Sequence, residues 1–181
     1  MHPRVERVLT EGNVSFECWR SEDQEGKVKA MLEFDKAAAG YFPDRVTKTL
    51  FLQGVGGQSE VRYVHPRDTF CLVVAPIGMR VDLKMVAGHL KVPHLRFAKL
   101  DAIKQQLGYS HEGISPLACG NTLVIVHEPL LLQTKIWVNA GVAGEHIGIA
   151  PADLRRLTRS TAMDLTIVPK SSSETNPRNL D

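Results

Sequence analysis

Short apolar runs, each too brief for a helix, recur along this chain: Val46 to Gln53, Val61 to Val64, Thr69 to Ala75, Leu123 to Val126, Lys135 to Asn139 and Glu145 to Ile149. Val14 to Trp19 and Leu95 to Phe97 add two more. These runs are bounded by glycine, proline or polar clusters and read as strands rather than as helical faces. Fewer segments carry helical spacing. Pro3 to Gly12 sets Val5, Val8 and Leu9 on one side and stops at Gly12-Asn13. Lys27 to Ala39 does the same with Val28, Met31, Leu32 and Phe34, and Gly40 ends it. Asp82 is placed to cap a helix whose inner face is Leu83, Val86, Ala87 and Leu90. Asp101 to Leu107 and Pro151 to Leu157 complete the helices, the last with proline in its first turn. Strands outnumber helices and mostly do not alternate with them, so the expected fold is a mixed α/β (α+β) domain.

A chain of 181 residues buries roughly 70% of the surface its unfolded form exposes, enough for a core without disulfide or metal staples. At 43% hydrophobic and 23% charged residues, it is neither disordered, collagenous nor a coiled coil. No apolar run nears the length of a bilayer span, and Met1 to Glu11 lacks the apolar region of a signal peptide. Cys18, Cys71 and Cys119 are odd in number and far apart, with no CxxC pair, which fits a reducing, cytoplasmic compartment. The expected organisation is one domain over residues 1–168 and a polar, disordered tail over 169–181.

The formal charge of +2 and isoelectric point near 8.5 are too mild to announce a polyanionic partner. The distribution says more. Acidic residues gather at Glu17, Glu22, Asp23, Glu25, Glu33 and Asp35, and basic ones at Arg80, Lys84, Lys91, Arg96, Lys99 and Lys104. The basic stretch has two open readings: a face for a phosphate backbone, or aliphatic stems lying along a solvated helix face.

Familiar catalytic signatures are missing: there is no GxSxG elbow, no HExxH helix and no Walker loop. Gly54-Val55-Gly56-Gly57 lacks a GK[ST] ending and reads as a turn between strands. His111, Cys119 and His127 share a region without the tight pairs of a zinc site, and no metal or cofactor is expected. Glu145 and His146 are strand neighbours and point to opposite faces. Two features remain. Lys48 lies between threonines inside an apolar strand; facing water it guards a sheet edge, and facing inward it must be paired or bind an anionic or carbonyl group. The loop Glu112-Gly113-Ile114-Ser115-Pro116-Leu117-Ala118 is either a plain turn or a nest of backbone N–H groups for an oxyanion.

The order of these pieces tips the balance. Lys48-Thr49-Leu50, Leu72 to Pro76, Arg80 to Lys84, Gly108-Tyr109, Gly113 to Leu117, Val138 to Gly141 and Ile149 to Leu154 follow one another. The series resembles the YbaK/EbsC family, the editing domains associated with prolyl-tRNA synthetase, from about Val5 to Val168. That resemblance implies a central, strongly curved, mostly antiparallel or mixed sheet flanked by helices. It implies a trans-editing hydrolase that removes a wrong amino acid, cysteine or alanine, from proline tRNA by ester hydrolysis. The acceptor end of the tRNA is then the partner, with prolyl-tRNA synthetase or a synthetase complex as a second. The family's key lysine falls on Lys48. Its pocket falls on Met31, Gly113, Ile114, Ser115, Pro116, Asn139 and Gly141, and the basic stretch with Arg80, Lys84, Lys91 and Arg96 would meet the RNA. This chain departs from the pattern at Glu112 and Ala118, where the family's loop carries glycines, and at Ser21 and Asp23, where relatives carry aromatic and histidine residues. Those departures keep a second reading open: a non-catalytic tRNA- or synthetase-binding module of the same fold.

Overall fold

In the computed structural model the described residues are 1–20, 45–55 and 70–166. The helix expected over Lys27 to Ala39, the strand Val61 to Val64, the pocket residue Met31, the departures Ser21 and Asp23 and the tail after Pro169 lie outside them. In chain order the described elements are α1 (Pro3–Glu11), β1 (Glu17–Arg20), β2 (Thr47–Val55), β3 (Phe70–Pro76), α2 (Leu83–Leu90), β4 (His94–Phe97), α3 (Leu100–Leu107), β5 (Leu123–His127), β6 (Ile136–Asn139), β7 (Glu145–Ile149), α4 (Pro151–Thr158) and β8 (Thr161–Met163).

β3 anchors the larger sheet because its residues Cys71 to Ala75 are all buried. That burial is why the run is continuously apolar rather than alternating. β2 pairs with it antiparallel and β5 parallel, β4 extends β2 antiparallel, and β8 adds parallel to β5, giving the order β4-β2-β3-β5-β8. Alternate residues feed two cores. Leu72 and Val74 face one side with Phe51, Val124 and Val126, where α1 (Val5, Leu9), α3 (Ile103, Leu107) and α4 (Leu154) pack. Cys71, Val73 and Ala75 face the other with Leu52 and Ile125, covered by Val86, Leu83 and Leu90 of α2. Mixed strand directions and helices on both faces make this the mixed α/β architecture the sequence implies.

The smaller sheet is antiparallel, ordered β1-β7-β6. Among the described residues it joins the larger one through a parallel bridge between Val46 and Trp137 and through Thr47, whose Oγ1 donates to the Trp137 carbonyl at 2.8 Å. Lys48 is the next residue along β2.

Helix ends follow their local chemistry. Asp82 caps α2, its carboxylate accepting from the Lys84 N–H at 2.8 Å. α3 stops at Gly108, whose φ of 73° is left-handed. Three details differ from the sequence reading. β1 begins three residues later than Val14, at Glu17. Gly54 and Val55 belong to β2, opposite Leu95 and His94, and not to a turn. The three residues of β8 carry no periodicity of their own and become a strand only by pairing with β5.

Candidate functional site

Lys48 is half-buried and its ammonium is fixed. It donates to the Ile77 carbonyl at 3.1 Å and to the Met79 carbonyl, the backbone that leaves β3. An ammonium has three donors, so two are committed and one is left to aim. Burial pulls its pKa below the usual lysine value, since desolvation disfavours the charged form.

The bend over residues 112–118 is closed by internal bonds. A 3₁₀ turn over His111–Gly113 directs the Gly113 N–H to the Ser110 carbonyl at 3.1 Å. Ser115 is fully buried and its Oγ accepts the Leu117 N–H at 3.2 Å. Cys119 Sγ donates to the Ser115 carbonyl at 3.0 Å, and Tyr109 donates its hydroxyl to the Leu117 carbonyl at 2.6 Å. Ile114 and Pro116 are buried with them. The Gly113 amide is therefore committed, and an oxyanion nest here must draw on Ile114 and Ser115.

Asn139, at the end of β6, ties this bend to the turn that follows. Its Nδ2 donates to the Glu112 carbonyl at 3.0 Å, and its Oδ1 accepts the Gly141 N–H at 3.1 Å. The two glycines have no room for a side chain. A Cβ on Gly113 would lie 2.9 Å from the Gly141 carbonyl oxygen. Gly141 has φ of 84°, and a Cβ there would meet His2 Cβ at 2.6 Å. Ala118, where the resembled family has glycine, takes the same left-handed conformation at φ 56°, which costs about 1–2 kcal/mol for a residue with a Cβ.

The structure thus brings Gly113, Asn139 and Gly141 together. It carries Lys48 on the strand that is bridged to β6, and it points the amine at Ile77 and Met79, with no bond to the bend. Arg80, Lys84, Lys91 and Arg96 are all exposed around α2 and β4, away from these bonds. Two hollows flank the cluster. One of about 320 Å³ is lined by Trp19, Arg20, Ala140, Glu145 and His146 among others and adjoins the Asn139 turn. A larger one of about 610 Å³ has the Pro76–Met79 segment on one wall and His127 with Pro129 and Gln133 on the other. His127 ends β5 and its Nδ1 accepts the Leu165 N–H at 3.1 Å. Its place in a cleft had no local signal, because Leu165 and Met79 are distant in sequence. Burial pushes the Cys71 and Cys119 thiols up to about 12, which disfavours the thiolate that a nucleophile needs.

Residues 29–157 match the aminoacyl-tRNA editing domain family, and the chain belongs to that family. Among solved structures it is similar to a protein proposed to be a trans-editing enzyme for prolyl tRNA synthetase, at 19% identity and TM-score 0.70, covering 93% of this chain and 99% of that one. A hypothetical protein matches at 19% identity and TM-score 0.70 over 90% of this chain and 98% of its own. A computationally designed epitope scaffold matches at 19% and 0.70, over 93% and 100%. At this identity the likenesses speak to the fold alone.

Proposed function

We propose that this chain is a trans-acting aminoacyl-tRNA deacylase that cleaves the ester of a cysteine- or alanine-type misacylated proline tRNA. The observation that carries the reading is the Lys48 ammonium, held by two backbone carbonyls on the strand bridged to β6, whose last residue ties the glycine bend together. Family membership supports the class of reaction.

An aminoacyl ester is already activated, so orientation and charge placement contribute more than a strong nucleophile does. Water adds to the ester carbonyl carbon. The bond to the terminal ribose oxygen breaks, and the proton from water passes to that oxygen, releasing amino acid and free RNA end. Lys48 supplies a point charge to the carbonyl or the terminal phosphate. The Ile114 and Ser115 amides face the developing oxyanion, a role worth about 3 kcal/mol per donor. Asn139, Gly141 and Gly113 shape the amino-acid pocket with Pro116 behind them, and Met31 is proposed as a further pocket residue. Arg80, Lys84, Lys91 and Arg96 take the RNA phosphates, and prolyl-tRNA synthetase is the proposed macromolecular partner.

One observation favours the alternative of a non-catalytic tRNA- or synthetase-binding module. The bend carries the exposed carboxyl-bearing Glu112, and its Gly113 amide is committed to Ser110. Incubation with Cys-, Ala- and Ser-charged proline tRNA separates the two. Release of one amino acid is the expected result; binding without release assigns the module.

A further inference from the structure

Two large apolar side chains stand in solvent where β4 hands over to α3: Phe97 is 62% exposed and Leu100 65%. Around them basic side chains predominate. Arg96, Lys99 and Lys104 are exposed on the same segment, and Lys84 and Lys91 are exposed on and just after α2, which packs against β4. The carboxylates do not offset this. Asp82, which caps α2, and Asp101 are two charges against five. The Arg96 guanidinium is held by Gln53 Oε1 across the ladder at 3.1 Å. β4 is the outer strand of its sheet, and among the described residues no strand pairs with its far edge. Phe97 lies opposite Leu52 at the margin of the sheet face that α2 covers.

We propose that Phe97 is a stacking platform for an unpaired base of an RNA whose phosphates are taken by Arg96, Lys99 and Lys104. Every base offers a π-face, so one exposed ring set among cations binds single-stranded polynucleotide with little sequence preference. A protein partner fits less well, because the centres of protein interfaces are depleted in lysine. An anionic lipid surface shares the charge but is met by the broad apolar face of an amphipathic helix, and here only two side chains are offered. The identity of the RNA rests on the editing reading; the platform itself does not.

Phe97→Trp places a reporter at the platform, and a short single-stranded RNA is the titrant. Its fluorescence is expected to be quenched to saturation. Phe97→Ala is expected to weaken binding about ten- to hundredfold with an unchanged salt slope and melting temperature, since the ring is exposed. Lys99→Ala lowers the slope by about 0.7. The proposal is overturned if Phe97→Ala binds the RNA as the parent does. It is also overturned if the Trp reporter answers phosphatidylglycerol vesicles but not RNA, or if Phe97→Ala instead abolishes a concentration-dependent dimer. Deacylation is read in parallel. A parent protein that quenches with RNA yet releases no amino acid removes the deacylase and keeps the platform; full deacylation with a neutral Phe97→Ala does the reverse.

Discussion

The bend at residues 108–119 and the basic stretch from Arg80 to Lys104 are built on opposite principles. In the bend the buried polar side chains have internal partners, Tyr109 on Leu117, Ser115 on Leu117 and Cys119 on Ser115, and Asn139 donates to the Glu112 carbonyl from outside it. Gly113 is fixed by the close approach of the Gly141 backbone. In the basic stretch Lys84, Lys91, Lys99 and Lys104 are exposed, and Arg96 is tied down by Gln53. One region sets positions to fractions of an ångström. The other sets a field, which tolerates loose side chains. Damage to the first should therefore appear in rate and stability, and damage to the second in affinity and its salt dependence.

The largest expected effect is on Lys48, which belongs with the positioned region although it lies on β2. Lys48→Ala should cut deacylation by about a hundredfold or more, the scale of losing one charge-stabilising donor, with the circular dichroism spectrum unchanged. Turnover at the parent rate would remove the lysine from the mechanism. A pH profile sharpens this. The folded pKa of Lys48 is depressed below 10.5, so deacylation over the buffer background should fall as pH rises through that depressed value. Stability moves the other way: between the folded pKa and 10.5 the unfolded chain binds the extra proton, and stability rises with pH across that window.

Next comes Gly113→Ala, whose Cβ would press on the Gly141 backbone carbonyl and on the Ser110 hydroxyl. A loss of about 2–3 kcal/mol is expected from overpacking, measured by urea unfolding. A neutral result would show that the bend yields, which would break the contrast between the two regions. Lys84→Ala and Lys91→Ala together should leave the melting temperature unchanged. They should reduce the salt dependence of tRNA binding by about 0.7–0.9 in slope for each charge; an unchanged slope would take these residues off the RNA. The smallest effect is Ala118→Gly, which should raise stability by about 1 kcal/mol by relieving a left-handed alanine. Unchanged or lowered stability would mean that the alanine carries no strain.

The sequence disclosed what is local. Asp82 announced α2 because a cap and an i, i+3, i+4, i+7 face are written within nine residues. β3 announced itself by an apolar run that only burial on both faces explains. The bond from Asn139 to Glu112 spans 27 residues, and those from Lys48 span 29 and 31. Such bonds leave no mark on periodicity. Only the family resemblance assigned these residues to one site, and it was silent on where the amine would point. β8 was hidden for the same reason: three residues become a strand because β5 is already there. Phe97 was visible as strand sequence but not as an exposed ring, since β4 is an outer strand and exposure at an edge depends on what lies beyond it.

Among the described residues, the smaller sheet meets the larger through one backbone rung, one threonine hydroxyl and a shared core in which Ile136, Val138, Ile147 and Ile149 pack with Phe51, Leu72 and Val126. That shared packing clamps the two panels together, so the joint is stiff rather than hinged. The gap between the amine on one panel and the asparagine turn on the other is then set by those side chains, and a relative re-tailored for a larger or smaller amino acid must change them as well as the pocket wall.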